Sequence, residues 1–162
     1  MQAGGRGFDS LQLHHFIMNY KIRKITPNDI DACFEIQQTS HFHTNLWPKQ
    51  LWQFLVPLLT DSWVAVDKDD NVVAYVMGMI RYADELDGEL AWFWTELCQK
   101  KGVKGAANDL AQFILETYPM IYAYIDVRNV KVEKYLTRHN FKTIRQIPNY
   151  YYDSDALLKA SS

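Results

Sequence analysis

Hydrophobic and polar residues alternate along several short stretches of the chain, and this alternation predicts β-strands. Residues 20–25 (YKIRKI) show it first, and two apolar runs around the polar turn 68–71 (KDDN) predict a hairpin. The strands predicted in this way are 20–25, 62–66, 72–80, 89–95, 121–127, 141–147 and 150–152. The last two are expected to close the fold as an antiparallel pair.

Hydrophobic residues spaced three or four positions apart predict four helices between these strands. Thr26 and Pro27 suit the N-cap and the first position of a helix that runs to about Gln38. The other three helices are predicted to begin at Pro48, to run from Ala106 until Pro119 stops the helix, and to span 129–139.

The predicted order β, α, α, β, β, β, α, β, α, β, β is typical of one mixed α/β domain. Hairpins make most of its sheet antiparallel, while a helical crossover joins the strand of Trp92 to that of Tyr122 and makes this pair parallel. We therefore expect a mainly antiparallel central sheet flanked by helices. Residues 1–17 are Gly-rich and lack this patterning, so we expect a leader, disordered or non-native, before a single domain at 18–162.

Composition narrows the class of protein but not its activity. A hydrophobic share of 48% and an aromatic share of 14% indicate a packed globular protein. A formal net charge of −2 gives no global reason to expect binding to nucleic acid or to an anionic membrane. Cys33 and Cys98 form no CxxC motif, which suggests reduced thiols in a cytoplasmic protein. No apolar run has the length of a membrane-spanning helix.

The end of the sequence carries a pattern that is specific enough to suggest a family. Asn129 is followed twelve residues later by Phe141, and then by the tyrosine-rich stretch 146–157 (QIPNYYYDSDAL). Together with the order of elements, these residues resemble the GCN5-related N-acetyltransferase (GNAT) superfamily over residues 20–158. The resemblance implies that acetyl-CoA is a co-substrate, that its acetyl group passes directly to a primary amine, and that the parallel strands splay apart to admit the donor.

The stretch 98–110 (CQKKGVKGAANDL) lies where the family binds pyrophosphate with an Arg/Gln-x-x-Gly-x-Gly/Ala loop before a helix. Counting from Gly105 puts Gly102 at the Arg/Gln position, and counting from Gln99 puts Lys104 at the last position, so neither register is complete. We prefer the first register, and a solvated basic turn is the alternative. The donor-binding residues implied by the resemblance are Leu97, Cys98, Gly102, Val103, Lys104, Gly105, Ala106, Ala107, Asn129 and Lys134.

The resemblance is incomplete at the general acid, a tyrosine that protonates the departing CoA thiolate in many family members. The family places it seven residues after the asparagine, where this chain has Leu136. Tyr135 lies one position earlier, about 100° away around a helix. Tyr135 and Tyr151 are the candidates retained for this role. Otherwise Tyr150, Tyr152 or water acts, or catalysis is weak or absent.

A carboxylate near the parting strands is the expected base, because an acceptor amine must lose a proton before it attacks. Glu96 is the first candidate, since it follows the strand of Trp92 closely, and Glu89 and Asp126 are alternatives. Each of the three could instead be an ordinary surface carboxylate.

The remaining charged stretches do not identify the acceptor, which could be the amine of a small molecule or of a peptide. The acidic turn 84–89 could attract a cation, and the basic stretch 128–145 could bind a phosphate or nucleic acid. Solvated surfaces explain both, and nucleic acid is not expected as a partner. His41 and His43 lack a third ligand nearby, so no metal is expected.

Three aromatic residues on the second helix and just before it look exposed and could serve a homodimer, namely Trp47, Trp52 and Phe54. The alternative to an enzyme is a GNAT-like module with weak or no catalysis that binds CoA, a nucleotide or a protein partner. Binding of acetyl-CoA together with release of free CoA would separate the two.

Overall fold

One sheet organises the residues that the structure, a computed structural model, describes, which are 20–39, 47–55 and 59–161. Its strands are β1 (Lys21–Lys24), β2 (Trp63–Val66), β3 (Val72–Ala83), β4 (Glu89–Gln99), β5 (Ile121–Asp126), β6 (Lys142–Tyr151) and β7 (Ser154–Ser161). They lie in the order β1-β2-β3-β4-β5-β7-β6, and every neighbouring pair is antiparallel except β4 and β5. The predicted mixed, mainly antiparallel sheet with one parallel pair is confirmed.

Four helices flank this sheet within the described ranges. They are α1 (Ile30–Gln38), α2 (Lys49–Leu55), α3 (Ala106–Thr117) and α4 (Val130–Arg138). Single turns of 3-10 helix at Pro27–Asp29 and Asp84–Leu86 precede α1 and join β3 to β4. The sequence of helices and strands follows the predicted order, but the two closing strands do not coincide with the predicted pair.

The two faces of the sheet carry separate hydrophobic cores. α3 packs on one face, where Trp92, Trp94 and Leu110 belong to a buried cluster that also includes Leu136 of α4. α1 and α2 cover the other face, with Trp52 of α2 in a second buried cluster. A side chain of β4 therefore enters one core or the other according to its position along the strand.

A β-bulge at Thr95 divides β4 into two halves. Gly78 of β3 pairs with Trp94, and the preceding Met77 pairs with Glu96, so Thr95 is an extra residue on β4. Side chains alternate along a strand, so without the bulge Glu96 would lie on the α3 face with Trp94. The bulge instead turns Glu96 towards α1.

The parallel pair opens next to this bulge. β4 and β5 pair over three residues each, and the last pair is Trp94 with Ala123. Both strands continue beyond it, to Gln99 and to Asp126, without pairing to each other. The predicted splay of the parallel strands is confirmed. β4 is also four residues longer than the predicted strand 89–95, because its pairing with β3 continues as far as Gln99.

The closing strands differ from the predicted pair. The sequence predicts strands 141–147 and 150–152, whereas β6 runs through both and pairs with β7, which the alternation does not predict. β6 continues past Pro148 because Asn149 forms an irregularity and not a reversal. Its φ is +53°, and its N–H donates a 2.9 Å hydrogen bond to the carboxylate of Asp155 in β7.

Trp52 is buried, which corrects the exposed aromatic surface predicted around the second helix. Its side chain is 0% exposed, and its indole N–H donates a 3.0 Å hydrogen bond to the side-chain carbonyl of Gln37 in α1. Phe54 lies two residues on, nearly opposite around the helix, and is 68% exposed. Trp47 is half-buried against the same core as Trp52. The aromatic surface offered for a homodimer therefore reduces to Phe54.

Some predictions concern residues outside the described ranges, namely the leader 1–17 and the histidines His41 and His43. Within 20–39, 47–55 and 59–161, no helix combines the length and the apolar character needed to cross a membrane. The same residues contain no group of three His, Cys, Asp or Glu side chains arranged to hold a metal ion.

Candidate active site

The opening between β4 and β5 leaves one edge of β4 without a strand. Residues 96–99 pair with β3 on one side, while pairing to β5 has ended at Trp94. Leu97 packs into the α3 core, and Cys98 is 4% exposed in the α1 core, so these two predicted site residues offer the opening their backbone. Backbone N–H and C=O groups need partners when water is excluded, so this edge can pair with an extended ligand.

The turn from β4 to α3 contains two glycines in the left-handed conformation. Gly102 and Gly105 have φ values of +87° and +86°, and a Cβ at either position would meet nothing within 4 Å. Val103 between them is half-buried against the α3 core, and Ala106, the first residue of α3, is 0% exposed. The turn therefore presents open backbone at the N-terminus of a helix, an environment that favours anions.

Gln99 ties the end of β4 to the start of α3. Its side-chain oxygen accepts a 2.9 Å hydrogen bond from the N–H of Ala107. The carbonyl of the exposed Lys104 accepts a 3.2 Å hydrogen bond from the hydroxyl of Tyr20. The N–H of Val103 donates a 3.1 Å hydrogen bond to the carbonyl of Lys100, so at least two of the predicted donor-binding amides, those of Val103 and Ala107, are used by the protein itself. From the sequence, Gln99 is recognised only as the first residue of the alternative loop register. Its hydrogen bond to the start of α3 could not be predicted, because it forms only when the turn folds.

Glu96 lies two residues beyond the last parallel pair and accepts hydrogen bonds from neutral groups. The hydroxyl of Tyr75 donates a bond of 2.8 Å, and the side-chain amide of Gln37 donates bonds of 2.8 and 3.1 Å. The Gln37 carbonyl in turn accepts from the backbone N–H of Trp47 at 3.1 Å and from the indole of Trp52 at 3.0 Å. Residues from α1, α2 and β3 therefore fix the position of this carboxylate.

The environment of Glu96 suits proton uptake. Burial raises the pKa of Glu96, and the hydrogen bonds from Tyr75 and Gln37 offset that effect only in part. A carboxyl group with a raised pKa is a better base near neutral pH than an ordinary surface glutamate.

The two alternative carboxylates lie in different environments. The guanidinium of Arg128 donates to both oxygens of Asp126 at 2.7 and 3.0 Å, and this pairing lowers the pKa of Asp126 to about 2. Glu89 is exposed at the opposite end of β4 from the opening. Neither arrangement favours a proton acceptor at the splay.

α4 places three predicted site residues in different settings. Asn129 is the N-cap, and its side-chain oxygen accepts a 3.3 Å hydrogen bond from the N–H of Val132. Lys134 is exposed. Tyr135 packs against the α3 core with its ring 4.3 Å from that of His139, and its buried hydroxyl has no hydrogen-bond partner among the described residues. Burial raises the pKa of Tyr135, so its hydroxyl keeps a proton that it can donate.

Tyrosines also lie at the opening, on the face opposite to α3. Tyr124 directly follows the last parallel pair, its hydroxyl donates to the carboxylate of Glu85, and its carbonyl accepts a 3.1 Å hydrogen bond from the hydroxyl of Tyr151. The ring of Tyr150 stacks on Tyr124 at 4.6 Å. Burial raises the pKa of Tyr151 to about 12. The pair of Tyr124 and Glu85 is absent from the sequence-based candidates, because it joins residues 39 positions apart.

Several solved structures have a fold similar to that of this chain, and proteins named as acetyltransferases are among them. Ard1 from Thermoplasma volcanium superposes with a TM-score of 0.72 at 19% identity, over 88% of this chain and 97% of that one. NAA60 from Arabidopsis thaliana in complex with acetyl-CoA gives a TM-score of 0.71 at 16% identity, over 87% and 98%. A GNAT-family acetyltransferase from Bacillus cereus gives 0.66 at 12% identity, over 88% and 96%.

Sequence comparison gives no comparable match. No protein-family model matches the chain, and no curated protein is detectably similar to it. At identities of 11 to 19%, the structural matches establish the fold and not the activity. The chain has the fold of the GNAT acetyltransferases, as the residues near its end predict.

Proposed function

We propose that this protein is an N-acyltransferase that moves an acetyl group from acetyl-CoA directly to a primary amine. The observation that carries the proposal is the opening between β4 and β5, which leads into a glycine turn and the N-terminus of α3 within a GNAT fold. A protein of similar fold, NAA60 from Arabidopsis thaliana, has been solved with acetyl-CoA and with a bisubstrate analogue. The acceptor is the amine of a small molecule or of a peptide.

The residues around the opening suit acetyl-CoA as donor. Gly102 and Gly105 leave room beside the backbone where its pyrophosphate would bind, next to the first amides of α3 and to the exposed lysines of the turn. The free edge of β4 at residues 96–98 offers N–H and C=O groups to the amides of its pantetheine arm. Lys134 on α4 would contribute charge towards a further phosphate. The donor supplies an activated acyl group.

Glu96 is the proposed base and Tyr135 the proposed proton donor. Glu96 has a raised pKa and can take a proton from the acceptor ammonium, directly or through water. The amine then forms a C–N bond to the acyl carbon as the C–S bond breaks, and the departing thiolate takes a proton. The Tyr135 hydroxyl is free to donate it, whereas the alternative, Tyr151, donates to the carbonyl of Tyr124.

A CoA-binding module with weak or no catalysis is the second candidate. Leu136 stands where the resemblance expects the general acid and is 2% exposed in the core. Gln99 also occupies the N–H of Ala107 at the start of α3. Such a module would bind CoA and acetyl-CoA without releasing thiol in the presence of an amine.

Two measurements on the full chain test the proposal. A ligand present at 100 times its dissociation constant stabilises a protein by about 2.7 kcal/mol, so acetyl-CoA should raise the melting temperature and adenosine at the same concentration should raise it less. Free thiol should then appear from acetyl-CoA only when an amine acceptor is added. A shift without thiol release would favour the binding module. The absence of any shift at millimolar acetyl-CoA would refute both candidates.

A further inference from the structure

A charged cleft lies on the face of the sheet opposite to α3, between the turn that joins β3 to β4 and the edge strand β6. It has a volume of about 480 Å³ and is lined by Arg81 of β3, by Asp84 and Glu85 of the following 3-10 turn, and by Ile144 and Arg145 of β6. The pairing of β6 with β7 slips at Ile144, so two consecutive side chains of β6 can line the same cleft.

The two guanidinium groups of the cleft form no direct ion pair within the described chain, although both act electrostatically on Glu85. Neither Arg81 nor Arg145 forms a hydrogen bond or an ion pair with a described residue. Arg81 lies over the rings of Phe93 and Tyr122, with its Cζ 5.4 and 5.9 Å from their centroids. A guanidinium stacked on aromatic rings keeps its N–H groups available to bind a carboxylate in the plane of the fork.

The acidic side of the cleft is also only partly satisfied. One oxygen of Glu85 accepts the hydrogen bond from Tyr124, while the other is buried and has no partner among the described residues. The hydrogen bond from Tyr124 lowers the pKa of Glu85, and the charges of Arg81 and Arg145 add to this effect. Glu85 therefore stays ionised and can hold an ammonium group.

A buried hydroxyl provides an independent sign of a ligand. Tyr122 is 0% exposed, lies under Arg81, and its hydroxyl has no hydrogen-bond partner in the described part of the chain. Burial raises the pKa of Tyr122 to about 12, and the Cζ of Arg81, which lines the cleft, lies 5.9 Å from the centre of its ring. Buried polar groups are nearly always paired, so this hydroxyl indicates a missing partner.

We propose that this cleft binds the carboxylate of the acceptor, so that the acceptor is a small zwitterion such as a free amino acid. This inference rests on the proposed function, since it names the substrate class of the same opening. The carboxylate would bridge Arg81 and Arg145, and the ammonium would lie at Glu85. A ligand with only one of the two charges would leave the other half of the cleft unmatched.

The position of the cleft fits an acceptor site. Phe93 and Tyr122, the rings beneath Arg81, form the parallel pair immediately before the last one, Trp94 with Ala123. Arg81 itself pairs with Ala91, three residues before Trp94, and its guanidinium reaches along the strand to the ring of Phe93. The Tyr124 that holds Glu85 is the first residue beyond the last parallel pair. An amine at Glu85 would therefore lie beside the hydroxyl of Tyr124, whose backbone borders the opening.

Calorimetric titration of the full chain, with and without saturating CoA, tests the proposal without requiring any chemistry. The probes are ω-amino acids of increasing length, from glycine to 5-aminopentanoate, each with the matched amide that lacks the carboxylate charge. At least one acid should bind, and its amide should bind at least about tenfold more weakly. Arg81→Gln and Arg145→Gln should each weaken the acid by a similar factor. Lys68→Gln, which removes a positive charge from an exposed turn, should leave the affinity unchanged.

The Tyr122→Phe variant distinguishes a loss of binding from a loss of folding. The variant removes a hydroxyl that has no partner in the described chain, so the melting temperature should be unchanged while the affinity for the amino acid falls several-fold. Amides binding as tightly as acids, failure of the whole series to bind, or equal affinities in the wild type and the arginine variants would each overturn the proposal.

The outcome also separates this inference from the proposed function. If acetyl-CoA fails to bind while amino acids bind through the two arginines, the transferase proposal fails and the cleft remains a zwitterion site. If acetyl-CoA is consumed equally fast with amines that lack a carboxylate, the transferase proposal stands and the assignment of the cleft is wrong.

Discussion

A buried carboxylate, Asp126, and a half-buried one, Glu96, flank the opening between β4 and β5, and the chain holds them in opposite ways. Asp126 at the end of β5 is bound by the guanidinium of Arg128 at 2.7 Å, which lowers its pKa to about 2. Glu96 on β4 is half-buried and accepts hydrogen bonds from Tyr75 and Gln37, and its partial burial raises its pKa.

The difference lies in the charge of the groups that hold each carboxylate. A charged donor fixes Asp126 as an anion over the whole physiological pH range. Neutral donors fix the position of Glu96 while burial leaves it ready to take up a proton. Of the two groups beside the opening, Glu96 is therefore suited to proton transfer, and Asp126 to holding the end of β5 in place.

Replacing Glu96 should give the largest effect of the substitutions considered. Glu96→Gln keeps the size of the side chain and an acceptor for Tyr75, but it cannot take a proton, so acetyl transfer should slow by about 10²- to 10⁴-fold. Single-turnover release of thiol from acetyl-CoA measures this. Glu35→Gln, on the exposed face of α1, is the control and should transfer at the wild-type rate. A Glu96→Gln protein of wild-type rate would exclude this base.

Removing one of the neutral hydrogen-bond donors should widen the difference between the pKa values of Glu96 and Asp126. Tyr75 is 0% exposed, and Tyr75→Phe removes its hydrogen bond to the carboxylate, at a cost of about 1.5–3 kcal/mol in the free energy of unfolding. Losing a bond to the ionised form also raises the pKa of Glu96, so the acid limb of the pH–rate profile should move to higher pH. Tyr82→Phe, on the same strand but 72% exposed, should change neither quantity.

The two carboxylates should also give stability opposite dependences on pH. The folded state binds a proton to Glu96 more tightly than the unfolded state does, so this group's contribution to stability is largest below about pH 4.3 and is lost as pH rises towards its folded pKa. Asp126 stabilises the fold above about pH 3.9, and its contribution is lost as pH falls through about 2.

Denaturant unfolding from pH 2 to 8 measures both slopes, each limited to about 1.4 kcal/mol per pH unit. Glu96→Gln should remove the decline in stability above about pH 4.3, and Asp126→Asn should remove the loss of stability below about pH 3.9. Slopes of the same sign for the two residues would contradict the comparison.

Replacing the two candidate general acids, Tyr135 and Tyr151, should change the stability of the protein least. The hydroxyl of Tyr135 has no partner in the described residues, so Tyr135→Phe should change the free energy of unfolding by less than about 0.5 kcal/mol. Tyr151→Phe loses the bond to the carbonyl of Tyr124 and should cost about 1 kcal/mol. Only the variant that removes the proton donor should slow transfer at least tenfold. We expect that to be Tyr135→Phe.

Local patterning predicts most of this fold, because hairpins, proline-capped helices and a single crossover leave local signals. β7 is the exception. Lys159 occupies a buried position in it, 2% exposed, with its ammonium 3.0 Å from Thr137, 2.9 Å from Thr143 and 2.7 Å from Glu133. A lysine interrupts the alternation that predicts a strand. The groups that make its burial tolerable come from α4 and β6 and cannot be identified from the strand itself.

The candidate site is predictable only as far as local position decides it. The sequence places Glu96 near the parting strands, but the bulge at Thr95 decides which face it occupies. Its partners Tyr75 and Gln37 lie 21 and 59 residues away, and spacing along the chain carries no signal for them. The charged cleft was missed for the same reason, because the turn that carries Glu85 meets β6 only in the folded sheet.

Hydrogen exchange with and without acetyl-CoA tests most directly whether the opening is the donor site. Acetyl-CoA should slow exchange in residues 95–99, which lack a strand on one side, and in the turn 102–107. Residues 92–94, already paired on both sides, should change little. Unchanged exchange at 95–99 under saturating acetyl-CoA would contradict binding between β4 and β5.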